Sequence, residues 1–289
     1  MAYLNFSVLK SIASGPVLRA MLLAPVALVF SLSSAVSAPV DRLMDLMKFR
    51  DVIAVLSEEG RSMSDDISDE ELGIPRAAWD EMMTRLYDEE RLEVAFRGAL
   101  VDAFGDADLG PAVAFFETDL GQEIAELELN ARRAIGDEAV LQAAGDLWAE
   151  LDPSSERSSL IESYVNTNDL IEMNIIGSLN SDMAYYRGFN AQALDGMGVD
   201  EATIMREVWA GEPEARARVT EWVYGFSALA YQPLSDEDFA TYVDFGKSET
   251  GQTLNLAMFA AFDSVYADLA RGLGAGTAVL AQSSAGQDL

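Results

Sequence analysis

One eight-residue pattern occurs twice in this chain, and any fold the chain adopts must find a place for both copies. Phe115-Phe116-Glu117-Thr118-Asp119-Leu120-Gly121-Gln122 and Phe245-Gly246-Lys247-Ser248-Glu249-Thr250-Gly251-Gln252 both read Phe-x-x-Thr/Ser-x-x-Gly-Gln, and 251 minus 121 gives the same offset, 130, as 245 minus 115. The match extends outward at that offset through Glu71/Glu201, Ile74/Ile204, Arg76/Arg206, Trp79/Trp209, Phe96/Phe226, Asp106/Asp236 and Asp108/Asp238. Further upstream the register becomes 118, pairing Leu43 with Ile161, Leu46 with Tyr164 and Val52 with Leu170, so the second copy carries about a dozen additional residues near Ser178 to Leu194. Solenoid units run roughly 20–50 residues, so a period this long predicts a duplicated domain.

The apolar spacing is helical throughout. Leu43, Leu46, Met47, Phe49, Val52, Ile53 and Leu56 fall on one face of a first helix. Ser62 to Glu70 is acidic and serine-rich, which predicts a loop. Pro75 starts a helix whose stripe runs from Trp79 toward Leu100 and stops at Gly105. A short helix then follows, capped by Asp106 or Asp108, and a long one runs from about Asp119 toward Trp148. Asp152-Pro153-Ser154-Ser155 is the best boundary between halves. Beyond it, helices are expected over 156–187, 200–210, 213–231, 235–247 and 250–271, and Gly272-Leu273-Gly274-Ala275-Gly276 predicts a frayed end. No segment has the alternation that strands need. The expectation is therefore an all-α chain of two tandem related helical bundles, with a signal peptide over 1–38, repeats over 39–152 and 153–272, and a flexible tail over 273–289.

The leader reads as an export signal. Lys10 and Arg19 supply its positive charge, Met21 to Phe30 its apolar stretch, and Val36-Ser37-Ala38 a small-residue cleavage site, although Pro39 sits awkwardly beyond the cut. An uncleaved anchor is the competing reading, since Ala20 to Val40 carries no charge, but Ser31, Ser33, Ser34 and Ser37 make its second half polar. After cleavage no transmembrane segment is expected, and the mature chain is placed in the periplasm or outside the cell. With 49 acids against 19 bases the net charge is -30, and removing Lys10 and Arg19 leaves 17 minus 49, or -32. Nucleic acid and anionic membranes both need a cationic surface, so neither is an expected partner.

The repeated motif, set behind an acid-capped start and a short amphipathic helix, resembles the signature of the family called domain of unknown function 2059. The tyrosine, serine and lysine of that family's Phe-Tyr-x-Ser-x-x-Gly-Lys-type stretch correspond to Phe116, Thr118 and Gln122 in the first copy and to Gly246, Ser248 and Gln252 in the second. The resemblance implies an exported bacterial helical protein present as two tandem copies, and it implies no activity. Read physically, the motif is a tight junction in which a hydroxyl caps one helix and a glycine lets another backbone approach. The alternative is a ligand site at Thr118/Ser248 and Gln122/Gln252 near a helix start.

Chemistry is mostly excluded by composition. The chain has no cysteine and no histidine, which removes disulfides, thiolate nucleophiles, histidine triads and the usual zinc ligands. Ser7 and Lys10 form a Ser-x-x-Lys pair, but inside the leader. Asp106, Asp108 and Glu117 have calcium-loop spacing, yet Pro111 occupies the position that needs glycine. Two carboxylate routes survive, a glycosidase-like acid and base pair acting on cell-wall glycan and an oxygen-ligated divalent-metal site. The preferred expectation is a noncatalytic binding or assembly module with an unknown protein partner in the cell envelope, with no catalytic, cofactor-binding or metal residues to name.

Overall fold

The computed structural model describes residues 34–63, 65, 74–194 and 198–285. The leader lies outside these residues except for its last five, and so do six of the nine residues of the acidic Ser62–Glu70 segment. Among the described residues there are twelve helices and no strand. They are α1 (Ser34–Leu46), α2 (Phe49–Ser62), α3 (Arg76–Leu86), α4 (Glu89–Phe104), α5 (Gly110–Phe116) and α6 (Asp119–Ala134). Then follow α7 (Glu138–Glu150), α8 (Glu156–Thr167), α9 (Leu170–Gln192), α10 (Glu201–Ala230), α11 (Asp236–Lys247) and α12 (Glu249–Ala285). The all-α class is as expected.

Several expected helices are divided, each at an identifiable residue. The first breaks at Lys48, held in the left-handed region at φ 55°, and 156–187 breaks at Asp169 with φ 49°. The Trp79–Leu100 stripe stops at Tyr87 and restarts at Asp88, whose carboxylate accepts from the Arg91 N–H at 3.0 Å. Asp137 restarts the 119–148 helix by accepting from the Ala139 N–H at 2.8 Å. A short capping side chain satisfies an orphan N–H as well as another helical turn would, and apolar periodicity does not register such a restart. Ser235 caps α11 as expected, accepting from the Asp238 N–H at 3.0 Å.

Two expectations are corrected the other way. Pro213 does not separate two helices; α10 runs through it, because Trp209 to Gly211 and Pro213 itself are exposed and water can take the carbonyl that proline leaves unpaired. The glycine-rich 273–289 stretch is not a free tail as far as Ala285, for α12 continues to that residue. A Cβ at Gly274 would overlap the Tyr185 carbonyl oxygen, and one at Gly188 would overlap that of Arg271. The small residues therefore let α9 and α12 press their backbones together, and that packing overrides weak helix propensity.

α12 is the spine. It packs along α9, crosses α4, and also touches α3, α5 and α11. In return α6 and α7 lie against α10. The cores accordingly draw on both sides of Asp152. One contains Phe49, Phe96 and Phe116 together with Phe262 and Leu273; the other contains Trp222, Tyr231 and Phe239 together with Ile124 and Ala144. The matched tryptophans differ: Trp79 is buried on α3, whereas Trp209 is 59% exposed on α10.

Between α9 and α10, burial pushes the Asp182 carboxyl up to about 7 despite the nearby Arg218. The raised folded value means the native state retains a proton that the unfolded chain loses, so stability falls as pH rises from about 4 to 7 and stays lowered above. Asp182→Asn is therefore expected to raise the melting temperature at pH 8 and leave it unchanged at pH 4, a difference that calorimetry at the two pH values reads directly.

Candidate functional site

The two motif copies fold into the same junction. Thr118 donates its hydroxyl to the Phe115 carbonyl at 2.7 Å and accepts from the Gly121 N–H at 3.0 Å, while Ser248 does the same with Phe245 at 2.6 Å and Gly251 at 3.0 Å. The Gln122 amide donates to the carbonyls of Phe116 at 2.6 Å and Leu46 at 3.1 Å. Gln252 donates to those of Gly246 at 2.6 Å and Thr167 at 3.1 Å. Each glutamine thus closes orphan carbonyls at the ends of two helices, and each hydroxyl starts the next. The glycines permit contact of another kind: a Cβ at Gly121 would sit 2.7 Å from the Phe116 Cα, and one at Gly251 2.8 Å from the Gly246 Cα. These residues are fully engaged in holding the fold, which is the packing reading of the motif.

The carbonyls that the two glutamines reach, on Leu46 and Thr167, lie 121 residues apart, as do the left-handed Lys48 and Asp169. Geometric correspondence upstream of the motif therefore runs at 121, three residues from the 118 read from sequence. The shorter register follows apolar character alone, whereas the backbone break is the better landmark.

The junctions face each other. Phe115 stacks on Phe245 with centroids 4.0 Å apart and planes 12° apart, and Tyr242 continues the stack. Beside it lies a cluster that the sequence reading missed. Glu128 of α6 accepts at one carboxylate oxygen from the hydroxyls of Tyr231 at 2.6 Å and Tyr242 at 2.9 Å, and the Tyr231 and Tyr164 hydroxyls are 2.8 Å apart. Burial and the adjacent Glu128 carboxylate push all three phenols upward, so they remain protonated donors. Arg157 fixes the surrounding backbone, donating to the carbonyls of Tyr231 at 2.8 Å and Leu234 at 2.6 Å, pairing with Asp236 at 2.7 Å, and lying 5.5 Å over the Phe239 ring.

Glu128 opens onto a cavity of about 90 Å³ between the halves. Phe226, Phe245, Phe259, Phe262 and the two methionines Met47 and Met258 are among its apolar wall residues, and Tyr164, Tyr242, Asn168 and Asn255 are its other polar members. A signal for this site does exist in the sequence once correspondence is set by geometry. Tyr164, Tyr231 and Tyr242 stand where the other half has Leu43, Val101 and Ala112, and Glu128 stands where it has Met258. The positions of the polar cluster match apolar positions in the other half at these offsets.

The other candidates do not converge. Glu117 pairs with Arg42 at 2.8 Å, Asp108 accepts from the Gly110 N–H at 2.9 Å, and no group of three or more acids suited to a metal ion occurs among the described residues.

These observations define a class, an all-α protein with an aromatic cavity enclosed between two similar helical junctions. The family model described as "Uncharacterized protein conserved in bacteria (DUF2059)" matches residues 90–150, which run from α4 through α7 and contain the first motif copy once. No curated protein and no solved structure matches the chain.

Because Gly121 meets backbone, Gly121→Leu is expected to lower stability by about 1–3 kcal/mol or more, measured by urea denaturation, and Gln122→Ala by about 1–3 kcal/mol through the buried carbonyls it abandons. Unchanged midpoints in both variants would contradict the role assigned to the junction.

Proposed function

We propose that this chain is an exported, noncatalytic binding module of the bacterial cell envelope, in which two copies of one helical unit are fused and exchange their last helices. The cavity beside Glu128 carries the reading, since a stable core gains nothing from placing a carboxylate and three phenols where the corresponding positions elsewhere in the chain are apolar. Export is supported by the charge and cleavage pattern of residues 1–38. Among the described residues, no helix is long and apolar enough to cross a membrane. The duplication is supported by the matching hydrogen bonds at Gln122 and Gln252 and by the stacking of Phe115 on Phe245, residues at the same position in the two motifs. Corresponding residues meeting face to face is the mark of a two-fold relation.

Glycan hydrolysis is the weaker alternative. It uses two carboxyl groups flanking the bond, and Glu128 is the sole acid among the residues that line the cavity. A divalent cation also fits less well there than an organic ligand, because the wall is mostly apolar, with six aromatic rings in it.

The test is a thermal-shift panel of sugars, amino acids, amines and carboxylates, run on the wild type and on Met258→Trp, which fills the cavity. At least one class is expected to raise the wild-type melting temperature and to leave the variant unmoved. A panel without effect on the wild type would contradict a binding role.

A further inference from the structure

We propose that the cavity beside Glu128 binds a small, soluble organic ammonium ion of the methylated or quaternary type. The proposal rests on the binding reading above and names the chemistry of its ligand. Glu128 brings negative charge to the cavity, and among the described residues no lysine or arginine forms an ion pair with it. Its hydrogen bonds come from Tyr231 and Tyr242, neutral donors that orient the carboxylate without cancelling its charge. A carboxylate so held attracts a cation.

The wall selects which cation. Phe226, Phe245, Phe259, Phe262, Tyr164 and Tyr242 surround the space, and aromatic rings attract ammonium groups while offering a metal ion no oxygen ligands to replace its water. A quaternary ammonium gives up little hydration and presents methyl groups to the rings, so it suits apolar walls closed by one carboxylate better than a strongly hydrated primary amine. Size agrees: about 90 Å³ is less than the roughly 150 Å³ cavity that admits benzene, and it accommodates a group of about five heavy atoms, such as a trimethylammonium head. A sugar ring or a peptide backbone would not enter. The wider field points the same way, because a formal charge of -30 concentrates cations around the molecule.

The asymmetry between the halves is the strongest support. Met258 corresponds to Glu128 and packs against the core that contains Leu43 and Ala112, whose own counterparts are Tyr164 and Tyr242. The same backbone arrangement is thus filled by an apolar side chain without loss of the fold, so the structure does not itself require the carboxylate and tyrosines.

Isothermal titration of the intact mature protein with choline and with 3,3-dimethylbutan-1-ol, its uncharged carbon counterpart, tests the proposal. Choline is expected to bind and to raise the melting temperature, the neutral alcohol to bind at least tenfold more weakly, and Glu128→Gln to weaken choline at least tenfold. Equal binding of the two compounds would overturn the ammonium assignment while leaving a binding cavity. Silence toward choline and tetramethylammonium up to about 10 mM overturns it as well, and the binding reading then stands or falls by the wider panel. Capture of phosphatidylcholine vesicles by a protein that ignores free choline would assign the site to a lipid headgroup and overturn the soluble ligand. The comparison of charged and neutral compounds needs only the wild type, so the test survives a Glu128→Gln variant that fails to fold.

Discussion

Everything in this architecture depends on how closely the backbone approaches itself at Gly121 and Gly251. At each, the first turn of a helix lies against the end of the preceding one, with no room for even a methyl group between them. The hydroxyl of Thr118 or Ser248 and the amide of Gln122 or Gln252 then satisfy the polar groups that the sharp turn exposes. An unsatisfied buried carbonyl costs as much as a sizeable fraction of a domain's net stability, so the motif is held by arithmetic as well as by shape. From these junctions α6 and α12 each reach across the Asp152 boundary, α6 against α10 and α12 against α4, while α12 also runs along α9.

That crossing explains why the cores do not respect the sequence boundary at Asp152. Phe262 of α12 sits 4.8 Å from Phe96 of α4 and 5.8 Å from Phe49 of α2, completing a core begun by residues far ahead of it in the chain. Ile124 of α6 does the reciprocal service in the core that contains Trp222 and Phe226. Phe115 and Phe245 stack where the two motif copies meet, and Phe245 also lines the cavity. A site at such a seam can draw side chains from both sides of Asp152, as Glu128 and the three tyrosines do.

Much of the fold was legible in the residues. The helical class follows from apolar spacing, the start of α11 from Ser235 and three following acids, and the packing role of Gly121 from its place one turn after Thr118. Helix breaks were less legible because Lys48 and Asp169 adopt left-handed backbone inside stretches whose apolar spacing continues across the break. The continuity of α10 through Pro213 and of α12 through its glycines depends, likewise, on exposure in one case and close helix contact in the other. The cavity was invisible for a different reason: Glu128, Tyr164, Tyr231 and Tyr242 are scattered over more than a hundred residues, and only tertiary packing brings them together.

The proposed exchange of helices is open to one direct measurement. The chain can be cut between Asp152 and Pro153, and the fragments 39–152 and 153–285 prepared separately and then mixed. Neither alone should show a cooperative unfolding transition by circular dichroism, since each lacks the helix that completes its core, and the equimolar mixture should recover the transition of the intact protein. Two fragments that each melt cooperatively as monomers, with nothing gained on mixing, would contradict it.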